Sequence, residues 1–186
     1  MSVNIVTALQ EKMGFAPFEK IDPNAPQGKR ELWLSKDANH FTQVAAIAVL
    51  VGIYETGSKP EGASLLMSTS NSANNLSLIF GDKKDEVIRA VSRYGDQDME
   101  TASDEMSAIA ATGIAEIKSS VGEHAGDDTV AAFIAAQRHN ILVHLPPDLF
   151  LGNIVNDNSI DDETNKMEGP VSAMVHFFED LFAKKQ

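Results

Sequence analysis

The sequence predicts an all-α protein, and three observations support this prediction. Apolar residues recur every three or four positions along most of the chain, which is the spacing of one face of a helix. No segment shows the strict alternation of apolar and polar residues that a half-buried strand needs. Helix-starting and helix-ending residues such as Ser58, Gly95 and Gly126 separate the periodic segments. Together these features predict a single compact helical domain over residues 1–155.

A repeated pattern adds detail to this prediction. Similar segments occur twice in the sequence, at a spacing of 65 residues. The matched pairs are residues 41–53 with 106–118, Gly57 with Gly122, and residues 75–80 with 140–145. The pattern predicts two similar helical units, at about residues 37–81 and 100–152. We expect an approximate two-fold axis to relate them.

The chain begins with a short amphipathic helix over residues 3–13. Three prolines within residues 15–28 predict a structured loop after it. Residues 36–55 form the first core helix of the first unit. Because this helix is apolar almost all round, we expect it at the centre of the domain.

A second helix start follows the first core helix. Its residues are a potential cap, a first-turn proline and a capping-box acid: Ser58, Pro60 and Glu61. The helix is expected to end near Thr69, in a loop rich in Ser and Asn. Residues 76–80 form a short helical segment, and a charged helix over residues 82–94 completes this part of the chain.

In the second unit, Thr101 or Ser103 is expected to open the second core helix, which runs to about Val121. Residues 126–128 cap the next helix, and residues 141–145 form a short one. The second core helix carries polar residues where the first is apolar, so we expect it to expose one face.

The last part of the chain differs in composition from the helical domain. Residues 156–169 are acidic and polar, which predicts a linker or loop. Residues 170–186 are predicted to form a C-terminal amphipathic helix. Its apolar stripe consists of Val171, Met174, Val175, Phe178, Leu181 and Phe182. This stripe either packs on the core of its own chain or binds a protein partner or a second subunit.

Composition excludes several classes of function. With 15 basic and 27 acidic residues the net charge is −12, which disfavours nucleic acid and anionic membranes as partners. The chain has no cysteine, so disulfides, zinc–thiolate sites and thiol catalysis are excluded. The longest apolar run, residues 44–53, is half of the roughly 20 residues that a membrane span needs. The first residues lack a signal-peptide pattern, so a soluble, cytoplasmic protein is expected. No carboxylate–histidine di-iron spacing, phosphate-binding loop or nucleophile elbow is present, so no cofactor is expected.

One acidic segment has the spacing of a calcium-binding loop. The residues at the ligand positions are Asp157, Ser159, Asp161, Glu163 and Glu168. Position six of the loop is Asp162, where the sharp turn requires Gly. We therefore interpret the segment as a solvated acidic loop and expect no metal, with Asp157, Asp161 and Glu168 as the weak candidate ligands.

Three further polar residues are candidates for a ligand site. Glu105 and Glu116 lie on the second core helix, and His144 lies in an apolar run. One hypothesis places them at the wall of a pocket between the two units. The alternative is that the two acids lie on the exposed face of their helix and that His144 is packed and hydrogen-bonded.

Three motifs resemble those of a known family. Residues 57–66 contain a Pro-Glu-Gly-Ala helix start, residues 79–92 a Phe-Gly turn before a charged helix, and residues 137–146 a Gln-x-x-Asn-Ile…Leu-Pro element. In this order they resemble the YidB-like group of uncharacterised bacterial proteins, over about residues 9–151. The resemblance implies a small all-α bacterial domain and carries no catalytic residue to transfer.

These observations lead to two hypotheses about function. The first is a non-enzymatic interaction module, either a scaffold or a regulatory protein, that uses the surface between the units or the C-terminal helix. The second is a small-ligand-binding protein or enzyme with a pocket between the two halves.

Overall fold

A computed structural model describes residues 3–20, 38–69 and 74–145. These residues form α-helices joined by short loops, with no strand among them. The helices are α1 (Ile5–Met13), α2 (Ala38–Gly57), α3 (Pro60–Ser68), α4 (Asn75–Phe80), α5 (Lys84–Tyr94), α6 (Met99–Val121), α7 (Asp127–Ala136) and α8 (Arg138–Leu142), with a 3-10 turn at Gly81–Lys83. The predicted all-α class is confirmed.

Helix α2 lies at the centre of the described fold. It packs against α3, α4, α5, α6, α7 and α8. Residues 44–50 are all fully buried. Consecutive helical residues point in different directions around the axis, so such a run needs neighbours on every side. The position predicted for the first core helix is therefore confirmed.

Helix α6 is the second long helix and packs along α2, with α1 and α5 also against it. Its buried residues share one face: Ala102, Met106, Ile109, Ala110, Gly113, Ile114 and Ile117. The helix thus buries a stripe rather than its whole circumference, as its polar residues predict. At Gly113 the two long helices come close, because a Cβ placed there would lie 3.2 Å from Cδ1 of Ile53.

Three predicted helix starts are wrong in detail. The short helix predicted over residues 141–145 is α8, which begins at Arg138 and ends at Leu142. Helix α6 begins at Met99, and its cap is Asp98, whose carboxylate accepts hydrogen bonds from the N–H and the Oγ1 of Thr101, each at 2.8 Å. These bonds hold the pKa of Asp98 below its usual value. Helix α3 begins at Pro60, as its first-turn proline suggests, but Lys59 occupies the cap position and makes no side-chain bond. Instead, the N–H of Ser58 donates a hydrogen bond to the carbonyl of Tyr54, so Ser58 extends the last turn of α2.

The order of helix lengths repeats along the chain. A long, a short and a very short helix follow one another as α2, α3 and α4, and again as α6, α7 and α8. The pairs α2–α6 and α3–α7 are in contact, as are α2–α8 and α4–α6. Gly57 and Gly122 lie at the C-terminal ends of the two long helices, but Gly57 is buried whereas Gly122 is exposed and has a φ of 89°. The internal duplication stays a prediction.

The described N-terminal segment consists of helix α1 and the residues on either side of it, from Val3 to Lys20. Helix α1 contacts α6 and α8 and ends at Gly14, whose φ of 69° suits glycine. Residues 15–20 follow without regular secondary structure. We call these six residues the arm.

Candidate functional site

The two candidate acids of α6 lie far apart. They are eleven positions apart in the sequence, which at about 1.5 Å per residue places them about 16 Å apart along the helix axis. Both are partly exposed. Glu116 forms an ion pair with Lys12 of α1, with Oε1 and Nζ 3.5 Å apart. Glu105 and Glu116 therefore do not converge on one small ligand, and Glu116 links α1 to α6.

His144 is buried, with 8% of its surface exposed. Its Nδ1 lies 3.0 Å from the carbonyl oxygen of Glu19 in the arm. The imidazole also meets the ring of Phe18 edge-on, with the centroids 6.3 Å apart. These contacts direct His144 toward the arm, and they agree with the expectation of a packed, hydrogen-bonded histidine.

Gln43 of α2 holds the same point of the arm. Its Oε1 accepts a hydrogen bond from the N–H of Glu19 at 2.9 Å. Its Nε2 donates to the carbonyl oxygens of Glu19 and His144, each at 3.0 Å. One buried amide thus bonds both backbone groups of a single arm residue. We call Gln43 and His144, together with the space that the Phe18 ring fills, the arm site.

A second buried glutamine holds the start of α1. Gln137, which is 2% exposed, lies between α7 and α8. Its Oε1 accepts from the N–H of Ile5 at 3.1 Å and from Nδ2 of Asn140 at 2.9 Å. Its Nε2 donates to the carbonyl of Val3 at 3.0 Å. The N–H groups at the start of a helix have no partner within it, and Gln137 supplies one of the acceptors they need.

Neither glutamine was predicted from the sequence to be a site residue, although Gln137 begins the Gln-x-x-Asn-Ile motif. Gln43 carried a signal, because it is a polar residue directly before the apolar run that begins at Val44 and lies within the most buried helix. A buried amide requires hydrogen-bond partners. The sequence did not indicate that these partners would be the backbone of residues 24 and 132 positions away.

The charge state of His144 follows from this environment. Burial lowers its pKa from the usual 6.5, and the positive charge of Lys20 acts in the same direction, while the bond to the Glu19 carbonyl opposes them. The folded protein therefore favours the neutral imidazole. Protonation becomes easier once the chain unfolds.

This pKa shift predicts a dependence of stability on pH. Because the unfolded state binds the proton more readily, the free energy of unfolding should fall as the pH drops below about 6.5. Denaturant unfolding at about pH 7.5 and 5.5 measures this loss. In a His144→Asn variant, which retains a side-chain N–H donor, the loss over this range should be smaller. Equal losses in the two proteins would contradict the assignment to His144.

Other predicted site residues cannot be placed. The weak metal ligands Asp157, Asp161 and Glu168 lie outside the described residues, as does the whole apolar stripe from Val171 to Phe182. The acidic loop at residues 156–169 and the helix at residues 170–186 therefore stay predictions. Within residues 3–20, 38–69 and 74–145, no group of three or more His, Asp or Glu side chains could hold a metal ion.

Comparisons with known proteins add no relative. No protein-family model, curated protein or solved structure matches this chain. The resemblance to YidB-like proteins therefore stays a prediction from three motifs. Among the described helices, none by itself has the length and apolar composition to cross a membrane, and α2 with α3 meets those two criteria only as a pair bent by 119°.

Proposed function

We propose that this chain is a cytoplasmic, non-enzymatic bacterial interaction module that acts as a scaffold or regulator. The placement of its buried polar side chains carries the proposal. Gln43, Gln137 and His144 all bond to backbone groups of the N-terminal segment. Their hydrogen-bonding capacity thus serves to assemble the fold. A catalytic site would instead direct such groups toward a substrate.

Packing between the two long helices also supports this proposal. The ligand-binding alternative needs a pocket between the halves. At the crossing of α2 and α6, however, Gly113 lies close to the side chains of Leu50 and Ile53. The neighbouring α6 residues Ile109 and Ala110 are fully buried. Apolar side chains thus occupy this part of the boundary between the predicted units.

The stripe of residues 171–182 is the surface that we assign to the partner. It is the longest amphipathic segment outside the described helices, and its six apolar residues follow helical spacing. An amphipathic helix of this kind suits a hydrophobic groove on another protein or on a second copy of the chain.

A pair of matched double variants of the full chain tests this assignment. Val171→Asp with Val175→Asp places two charges on the stripe, and Ser172→Asp with His176→Asp places two charges beside it at the same spacing. The stripe variant should lose a stoichiometric partner or its self-association by at least about tenfold, because a buried unpaired charge is costly. Light scattering and quantitative pull-down measure this, and the control variant should bind like the wild type.

Thermal unfolding separates the two interpretations of the stripe. If it binds a partner, the melting temperature of the isolated stripe variant should equal that of the control. A melting temperature lowered by several degrees, without loss of any association, would assign the stripe to the chain's own core. That result, or a wild-type chain that is monomeric and has no partner, would overturn the proposal.

A further inference from the structure

We propose that the arm site also binds an extended peptide segment of a partner protein, and that the arm is its built-in competitor. The ligand would carry an aromatic side chain immediately before the residue whose backbone is bound. This site is separate from the C-terminal stripe, so the two proposals can fail independently.

The first argument is the way in which the site holds the backbone. Gln43 accepts from the N–H of Glu19 and donates to the carbonyl of the same residue. A strand added to the edge of a sheet is held through the same two groups. Such bonds require no particular side chain on the bound residue, and the side chain of Glu19 is indeed exposed.

The second argument is that Phe18 is the buried apolar side chain of the arm, with Phe15 partly buried beside it. Phe18 is buried, with 9% of its surface exposed, whereas Ala16, Pro17 and Lys20 are exposed. The Phe18 ring contacts the ring of Phe15 and the imidazole of His144, with centroid distances of 6.1 and 6.3 Å. The recognition element that the site defines is thus an aromatic residue followed by a residue whose N–H and carbonyl both bond to Gln43.

The third argument is that the residues of the site lie on a helix or directly after one, whereas its occupant has no regular secondary structure. Gln43 lies on the central helix α2, and His144 follows α8, which packs on α2. Ala16, Pro17, Glu19 and Lys20 have exposed side chains, so the attachment of the arm depends on Phe15, Phe18 and the backbone bonds of Glu19. Opening of the arm would leave the helices that carry Gln43 and His144 in place. Covalent attachment gives the arm a millimolar effective concentration, so it competes strongly with free peptide.

Binding of a synthetic peptide to the full chain tests the inference. The probe is a fluorescent, end-blocked peptide of residues 14–20, and its control is the same peptide with alanine in place of the Phe18 residue. The protein variant Phe18→Ala removes the competitor's anchor without changing Gln43 or His144. This variant should bind the probe at least about tenfold more tightly than the wild type does. It should also prefer the probe to the control peptide by at least about tenfold.

A second substitution assigns the binding to the site. Adding Gln43→Ala to the Phe18→Ala protein should weaken probe binding by about tenfold, because both backbone bonds are lost. Circular dichroism checks the fold of each variant. Glu19→Pro, which removes the N–H that Gln43 binds, is a second way to weaken the arm without altering the helices. The wild type titrated with millimolar peptide gives a measurement that needs no substitution.

Three results would overturn the inference. The first is equal binding of the probe and the control peptide, the second is binding that Gln43→Ala leaves unchanged, and the third is no binding to any of these proteins at millimolar peptide. Self-association of the wild type that Phe18→Ala abolishes would assign the site to the arm of a second copy instead. None of these results depends on the C-terminal stripe, so each leaves the proposed function to its own test.

Discussion

Replacing Gln137 with alanine is expected to lower the free energy of unfolding by about 3 kcal/mol. The side chain is 2% exposed and bonds the N–H of Ile5, the carbonyl of Val3 and the amide of Asn140. Alanine reaches none of these groups. The N–H of Ile5 lies in a buried setting, so it would lose its acceptor without gaining water. Leaving a buried backbone group unpaired costs about 1–3 kcal/mol.

Denaturant unfolding measures this change, with Gln97→Ala as the control. Gln97 is also a glutamine, but its side chain is exposed, so its removal should change the free energy of unfolding by less than about 0.5 kcal/mol. Hydrogen exchange provides a local test, because the Ile5 amide should lose protection in the Gln137 variant. A loss of stability below about 1 kcal/mol would show that the hydrogen bonds from Gln137 to the start of α1 contribute little.

Gly52→Ala is expected to destabilise the protein by about 2 kcal/mol, although alanine is the better helix former. Gly52 lies within α2, where a Cβ would lie 2.4 Å from Cγ2 of Ile79 and 2.5 Å from Cε1 of Phe80. Both neighbours are buried, so neither can turn out into solvent. Helix α4 would have to move away from α2. The resulting overpacking outweighs the gain of up to about 1 kcal/mol in helix propensity.

Gly113→Ala on α6 is the matched control. A Cβ there would lie 3.2 Å from Cδ1 of Ile53, the end of a flexible side chain, and 3.7 Å from the next atom. A shift of a few tenths of an ångström relieves this contact, so the change should be neutral or stabilising by up to about 1 kcal/mol. Thermal unfolding ranks the two variants. Equal melting temperatures would mean that the α2–α4 contact is looser than these distances indicate.

The sequence was sufficient to predict the class of the fold and its central element. Residues 44–50 are apolar on every side of a helix, and only a central position buries all of those sides. It was less reliable for helix starts. Thr101 is a good cap by type, but Asp98 lies three residues earlier and its carboxylate binds the N–H of Thr101. Two acceptable caps within one turn compete, and the local geometry selects between them.

The candidate site was predicted less well, because it depends on contacts between residues that are distant in the chain. His144 was identified as a packed histidine, but its partner is a carbonyl 125 residues away. Glu105 and Glu116 were candidates for a ligand site because they are acids on a core helix, yet the helix places them about 16 Å apart. Gln43 lies in no motif, and Gln137 begins the Gln-x-x-Asn-Ile motif, which does not indicate what its amide binds. Both amides bond backbone groups, which every residue of the chain carries.

Local physical chemistry therefore determined the helices of this protein. Periodic apolar residues and helix-ending glycines such as Gly95 act over a few residues, and the sequence displays them directly. The tertiary structure alone decided which polar groups would meet. Packing α1 and the arm across α2, α6 and α8 brought Gln43, Gln137 and His144 to backbone groups that would otherwise be buried without partners. Those buried amides and carbonyls need a hydrogen bond wherever the chain places them, and only the assembled fold determines which side chain is within reach.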